Sequence, residues 1–400
     1  MSTSREYDAV VAGHICLDII PAIGMEAGQQ FTAQLQPGHL LEVGPALLAA
    51  GGPVANTGLA LHRLGIATHL MALTGADAFG AMLRRIVARC GPDLDSGLRI
   101  TRGLTTSYSI ILSPPGVDRL FLHCPGANDA FDAEGVDYAA LAHAKLFHFG
   151  YPPIMRCMYT AEGRGLVELL RRAKATGVTT SLDMAFPDPN SPGGRADWSA
   201  ILKAALPYVD VFLPSSDELL YMLRRDTFEA LTQAAGRASA VQQVGPDLLS
   251  DLGRQLLDWG ARIAAIKLGD RGLYLRTGDR NALAGLGRAL PAAPDVWAHC
   301  ERWAPCFQVD VAGTTGSGDA TIAGFLSALL RGLSPAEAMT AAVAVGACNC
   351  EAADALGGIR PWDETLARVR RGWARRPLTL DAPGWRYDTA GGLWIGPGDV

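Results

Sequence analysis

Val309-Asp310-Val311-Ala312-Gly313-Thr314-Thr315-Gly316-Ser317-Gly318-Asp319-Ala320 runs from an apolar stretch into glycine-rich chain, then into an apolar helical pattern that continues to Arg331. A strand, a glycine-rich turn and a helix in that order make an anion site. Glycine lets the backbone bend so that successive N–H groups converge, and the helix N-terminus adds partial positive charge. Asp319 falls where the anion would sit. A carboxylate there is useful if it takes a proton from a hydroxyl attacking a phosphoryl group. The bland alternative is a helix-capping Asp without chemistry, since glycine-rich turns before helices are common. The spacing is not the Walker pattern, because no Lys-Ser/Thr follows the last glycine. It is not the dinucleotide fingerprint either, because the third glycine is missing at its step.

A second stretch, Gly51-Gly52-Pro53-Val54-Ala55-Asn56, opens another helical pattern, which carries Leu59, Leu61 and Leu64 and ends at Gly65. By itself it reads as an ordinary turn and helix. In this order and at this separation, the two stretches resemble the ribokinase-like (PfkB) family of carbohydrate kinases. Its first signature is matched by Gly51, Gly52, Asn56, Gly65 and Gly75. Its second is matched by Thr314, Thr315, Gly316, Ser317, Gly318, Asp319, Ala323 and Gly324. The resemblance extends from Val10 to about Arg360.

The resemblance implies an ATP- and Mg²⁺-dependent phosphotransferase acting on a hydroxyl, foremost a primary alcohol, of a sugar, sugar acid or nucleoside. Asp319 is then the general base, and the backbone N–H groups of Gly316, Ser317 and Gly318 hold the charge that builds on the transferring phosphoryl group. Asp18, Gly51, Gly52 and Asn56 fall at substrate positions. Ser215, Lys267, Gly269, Gly272, Thr314 and Asn349 fall at nucleotide positions, and Glu218 at one that holds magnesium indirectly, through water. A homodimer formed through a lid also follows from the resemblance. Two residues depart from the family pattern. Ser215 stands where the family usually has Asn. Gly313 stands where relatives that bind a monovalent cation carry Asp, so K⁺ activation is doubtful here. Those departures motivate one rival reading, a binding protein of the same fold with impaired catalysis. A kinase for a vitamin-precursor alcohol is the other, disfavoured by the intact first signature.

Composition agrees with an enzyme of small molecules. The chain has 400 residues, of which 49% are hydrophobic, enough for a large core. A net charge of −5 argues against a nucleic-acid groove, and the Arg370-Arg371 and Arg375-Arg376 pairs read as a solvated helix face. No basic leader with a long apolar segment opens the chain, and the run at 339–348 is too short to span a bilayer, so a cytoplasmic protein is expected. Eight scattered cysteines without Cys-x-x-Cys pairs read as reduced thiols.

Short apolar runs without strict alternation at 68–74, 145–149, 178–183, 209–213 and 263–268 read as strands buried on both faces, with a first strand over 10–20. Helical patterns at 78–90, 159–176, 216–223 and 248–259 lie between them. The alternation predicts an α/β fold, a three-layer α/β/α sandwich with a mostly parallel central sheet. Two stretches break it: 29–43 and 107–124 read as turn-punctuated strands with period two, the second around Pro114-Pro115-Gly116. They predict a small projecting β-sheet, the lid of the family resemblance. The kinase domain is expected over 8–365, with lid segments at about 20–48 and 104–126, and 366–400 as an extension packed on the body. The stretches 230–245 and 286–305 read as insertions.

Overall fold

The computed structural model describes residues 7–24, 37–114, 119–235, 240–291 and 293–399. In chain order its strands begin with β1 (Tyr7–Gly13), β2 (Cys16–Pro21), β3 (Ala46–Gly51), β4 (Thr68–Gly75) and β5 (Leu98–Thr101). Next come β6 (Tyr108–Leu112), β7 (Leu120–Cys124), β8 (Ala144–Gly150), β9 (Thr179–Leu182) and β10 (Val211–Phe212). The last are β11 (Ile263–Lys267), β12 (Leu273–Thr277), β13 (Glu301–Ala304), β14 (Arg386–Asp388) and β15 (Leu393–Ile395).

Eleven strands form one sheet in the order β14-β15-β13-β12-β11-β10-β9-β8-β1-β4-β5. Every neighbouring pair from β11 through β5 is parallel, and the pairs beyond β11 are antiparallel. The parallel strands are buried on both faces: Ala9 and Val11 belong to one apolar core, Val10 and Ala12 to the other. Helices cover both faces, among them α1 (Pro53–Arg63), α2 (Ala78–Ala88), α3 (Arg164–Ala175), α4 (Ser216–Leu223), α5 (Pro246–Asp258), α6 (Ser317–Leu330) and α7 (Pro335–Asn349). This is the expected three-layer α/β/α fold. Among the described residues, no helix is long and apolar enough to cross a membrane.

The first strand is not one strand. It breaks at His14-Ile15, where Gly13 takes φ +124° and a Cβ would lie 2.5 Å from the Gly150 carbonyl oxygen. Only glycine accepts both conditions. The break lets the chain leave the main sheet and enter a four-stranded sheet, β3-β2-β6-β7, which is the lid. The 107–124 hairpin is present, with Tyr108 opposite Cys124 and Leu112 opposite Leu120, while 115–118 of its turn lie outside the described residues. Of the 29–43 stretch, 29–36 lie outside the described residues and 37–43 is turn and irregular chain. The strand is instead Ala46–Gly51, which pairs with β2 and delivers Gly51-Gly52 to the start of α1.

Other boundaries moved for local reasons. The helix expected from 159 starts at Arg164, because Ala161 and Glu162 take φ of +50° and +58°, outside helical space. The end of 286–305 is no insertion but β13, paired with β12. The stretch 309–312 is irregular and partly exposed rather than a strand, so the glycine-rich loop hangs from a connection anchored by the Ala312 and Gly313 amides on the Cys350 carbonyl. The tail adds β14 and β15 to the sheet edge through β13, with Trp385 packed against Trp303 and Tyr274.

Candidate active site

The glycine-rich loop does end in a helix. Gly316 caps α6 with φ +71°, and Asp319 lies in the first turn, buried. Helix α1 comes alongside with Asn56 and Thr57, and the end of β8 brings Tyr151. All three donate to the Asp319 carboxylate: Asn56 Nδ2 to Oδ2 at 3.1 Å, Tyr151 hydroxyl to Oδ2 at 3.0 Å, and Thr57 hydroxyl to Oδ1 at 2.9 Å. Burial raises the Asp319 pKa above the ordinary carboxylate range, against the pull of Lys267 and the three donors. A buried carboxylate with a raised pKa and fixed geometry is a competent proton acceptor. The Ser317 amide makes a long bond of 3.3 Å to the Thr314 carbonyl, closing the turn beneath the expected anion hole.

Two cavities meet at this loop, and Thr314 borders both. The first, of about 480 Å³, is lined by Asp18, Asn56, Ser109, Tyr151, Asp188 and Asp319, with Gly52 and Gly316 in its wall. Asp18 sits on β2 opposite Ala49, two residue pairs along from Cys16–Gly51. A Cβ on Gly51 would overlap its carboxylate, so glycine is required there by close approach. Cys16 Sγ donates to Asp18 Oδ1 at 3.2 Å, and burial lifts the Asp18 pKa to about 6. The buried Oδ1 of Asn56 has no partner among the described residues. Its amide nitrogen is fixed on Asp319, leaving an acceptor beside the cavity.

The lid closes over this cavity with side chains that sequence reasoning did not single out. His123 on β7 meets His14 at the break after β1, Nε2 to Nε2 at 3.3 Å, so one ring donates and the other accepts. Burial lowers the pKa of both; charge on His123 further disfavours the charged form of His14, while Asp129 pulls His123 the other way. Arg119, next to β7, donates to the hydroxyls of Thr314 and Thr315, tying the lid to the anion loop.

The second cavity, of about 220 Å³, is lined by Lys267, Gly269, Gly272, Ser317, Gly318 and, from α7, Val343, Gly346 and Ala347. Lys267 ends β11 with its ammonium on Asp183 Oδ1 at 2.5 Å and the Leu213 carbonyl at 2.7 Å. Burial disfavours its charge, but Asp183 and Glu218 outweigh that and hold its pKa above the usual range. Asp183 is pushed up by its own burial.

The remaining expected residues are nearby with other contacts. Ser215 and Glu218 form a reciprocal cap at the start of α4: Ser215 N–H donates to Glu218 Oε2 at 2.6 Å, and Glu218 N–H to Ser215 Oγ at 3.3 Å. Asn349 does not line the second cavity. It is buried under the loop, donating to the Thr315 carbonyl at 2.9 Å, and thus braces the loop from behind. Among the described residues no three His, Cys, Asp or Glu side chains are grouped to hold a metal ion.

A model of the pfkB family of carbohydrate kinases matches residues 19–360. The chain belongs to this family. Among its curated relatives is a protein named probable fructokinase-6, chloroplastic, of Arabidopsis thaliana, 24% identical over 83% of this chain and 73% of the relative. Another is the ATP-dependent ribose-1-phosphate kinase of Halopiger xanaduensis, 26% identical over 75% of this chain and 79% of the relative. Of solved structures, the fructokinase of Xylella fastidiosa with bound ATP is similar with a TM-score of 0.66 at 22% identity, covering 91% of this chain and 99% of that one. A protein assigned as Ribokinase II from E. coli, in complex with ATP and Mg²⁺, reaches 0.65 at 18% identity, with coverage of 91% and 99%. This pfkB chain is therefore a sugar kinase of the ribokinase fold.

The family pattern did not point to Thr57, Tyr151, His14, His123 or Arg119. Thr57 had a signal, since it follows Asn56 on the same first turn of α1. For the others, only the convergence of strand ends and lid brings them in.

Proposed function

We propose that this chain transfers the terminal phosphoryl group of ATP to a hydroxyl of an uncharged sugar or nucleoside. Asp319 carries the reading: a buried carboxylate, fixed by three donors, in the wall of the first cavity and next in sequence to Gly318 of the second. The acceptor occupies the cavity of Asp18 and Asn56, and the nucleotide that of Lys267, Gly269 and Gly272. Asp18 and the free Asn56 Oδ1 accept hydrogen bonds from sugar hydroxyls. Asp319 takes the proton of the attacking hydroxyl, while the amides of Gly316 and Gly318 at the start of α6 face the phosphoryl oxygens. Lys267 adds positive charge from below, its stem passing close to Gly318.

Among the described residues, three carboxylates, Asp18, Asp188 and Asp319, line the acceptor cavity against the one guanidinium of Arg119. That balance disfavours a sugar acid or sugar phosphate, since each carboxylate there would repel it. Magnesium bound to the nucleotide would neutralise phosphate charge, with Glu218 and Asp183 as the nearby carboxylates. Their small number fits an ion held mostly by phosphates and water.

The lid exposes Leu47, Leu120, Phe121 and Leu122, each about half accessible. Exposed apolar side chains on both edges of the lid support a homodimer through it. Purified protein incubated with ATP and Mg²⁺ against sugars, sugar acids and nucleosides tests the reading. Transfer to a neutral sugar or nucleoside supports it. Transfer only to acids removes the charge argument, and transfer to none of them leaves the binding-protein reading.

A further inference from the structure

We propose that Tyr151 is a positioning residue for the base: its phenol, with Asn56, fills Oδ2 of Asp319 and so leaves Oδ1 to receive the proton. This rests on the reading of Asp319 as general base. A carboxylate offers about four lone-pair sites, two on each oxygen. Oδ2 has two donors, Asn56 and Tyr151, while Oδ1 has one, Thr57. Among the described residues one site is left, and it is on Oδ1. In the transfer, the substrate O–H bond breaks and its proton passes to Asp319 Oδ1. The freed oxygen forms a bond to phosphorus as the bond from phosphorus to the bridging oxygen breaks, and that electron pair leaves with ADP.

Two independent observations set Tyr151 apart from a packing residue. Its backbone is left-handed, φ 66° and ψ 41°, a region that disfavours any residue with a Cβ. Strain of this kind persists where the surroundings impose it, and it gathers at functional positions. The strained turn follows Gly150, the last residue of β8, and swings the ring into the acceptor cavity rather than along the strand. Second, the phenol is bound to act as a donor. Burial raises its pKa well above the usual range, and Asp319 and Asp183 raise it further, so it keeps its proton. Lys267, Asp183 and Glu218 act on the pair electrostatically, Asp18, Asp188, Arg119 and His123 share its cavity, and the His14 ring lies 6.1 Å from Tyr151, held neutral.

A donor to a carboxylate favours its charged form. Two or three such bonds lower a carboxyl pKa by about two units, so one is worth on the order of half to one unit. The direct test is a ¹³C NMR titration of the Asp319 carboxyl carbon in the full-length protein, assigned by its loss in Asp319→Asn. Tyr151→Phe is expected to raise that pKa by about half to one unit, and to move the acidic limb of kcat upward equally with the acceptor found by screening. Site-specific replacement of Tyr151 by 3-fluorotyrosine, which keeps the shape and strengthens the donor, is expected to move both the other way. An unchanged titration in Tyr151→Phe overturns the proposal, and so does a fall in kcat with the limb unmoved, which is what a packing role would give. Should Tyr151→Phe not fold, the fluorotyrosine protein decides alone: a static titration overturns the proposal. Failure of the underlying reading looks different, because Asp319→Asn would then keep its turnover whatever Tyr151 does.

Discussion

The two cavities that meet at Thr314 are built in opposite ways. The side proposed for the acceptor carries more polar side chains and is assembled from distant chain: residue 14, the lid, the start of α1, the end of β8 and the start of α6 each supply a side chain. The nucleotide side is mostly apolar and small-residued, and the bulk of its wall comes from the 306–350 stretch with the turn after β11. The difference follows from what each side must hold. Hydroxyls and a travelling proton need oriented donors and acceptors, which only long-range packing fixes. A flat base and a phosphate chain need room and backbone amides, which alanine, glycine and one helix start supply locally.

If that contrast is functional, the largest loss comes from the carboxylate in the first cavity that follows Gly318 of the second. Asp319→Asn keeps size and most hydrogen bonding but cannot accept a proton. General-base catalysis contributes roughly 10²- to 10⁴-fold, so kcat is expected to fall by about that much, with ATP affinity measured by calorimetry nearly unchanged. Retention of more than about a third of the parent kcat would remove Asp319 from the base role.

Asp18→Ala probes the acceptor side alone. A charge-assisted hydrogen bond is worth roughly 1.5–3 kcal/mol, so kcat/KM for the acceptor is expected to drop about 10- to 150-fold while KM for ATP stays put. The acid range gives a second reading. Burial lifts the Asp18 pKa to about 6, so its charge, and with it the strength of the acceptor, is lost as pH falls through about 6. The KM of the acceptor should rise below that pH, and Asp18→Asn should flatten the rise. The stability sign is opposite. A raised carboxyl pKa means the folded chain binds the proton more tightly, so this group's contribution to folding is full below the ordinary value of 3.8 and is lost as pH rises through about 6. A loss shared equally by both ligands would mean a folding defect and blur the two sides into one.

The complementary change is Ala347→Phe on α7, which puts an aromatic ring into the nucleotide cavity. Overfilling a packed site costs roughly 1–3 kcal/mol, so KM for ATP is expected to rise about 5- to 150-fold. The acceptor KM should move less than twofold. If both KM values rise together, the cavities are not separate compartments, and the contrast between them is one of appearance only.

How much of this was legible in the sequence divides along the same line. Asp319, Asn56, Asp18 and the glycines beside them lie inside short motifs whose spacing carries meaning, and the parallel strands announce themselves as apolar runs. Tyr151 does not, and like Asp183 it follows the end of a parallel strand. They approach the site only because β8 and β9 pair in parallel, Phe149 opposite Leu182, which aligns their carboxyl ends. His123 and Arg119 depend on the lid folding back, and that in turn on the break at Gly13, which an apolar run from 10 to 20 conceals. The antiparallel edge was also hidden. β13, β14 and β15 are three or four residues long, and the β12–β13 link contains an Ala- and Pro-rich stretch that reads as loop. Asn349 shows the converse limit: a motif match put it beside the nucleotide, whereas its amide braces the loop from behind.

The smallest expected effect concerns the loop's own support. Gly313 sits where relatives with a monovalent cation carry Asp, and the structure adds a reason for glycine. A Cβ there would press on the Ala352 carbonyl, the Ala353 Cα and the Ala353 carbonyl, each 3.0 Å away. The loop is thus packed directly against backbone, with no carboxylate to draw K⁺ out of water. Carbonyl oxygens alone offset the dehydration of the ion weakly. Turnover is therefore expected to differ less than about threefold between K⁺ and a large inert cation at equal ionic strength. Gly313→Asp should not create K⁺ dependence cleanly, because the added Cβ forces the 352–353 backbone to shift and should raise KM for ATP as well. Strong, saturable K⁺ activation of the unmodified chain would overturn this, and would mean that the carbonyls around Ala352 and Ala353 suffice as ligands without any acidic side chain.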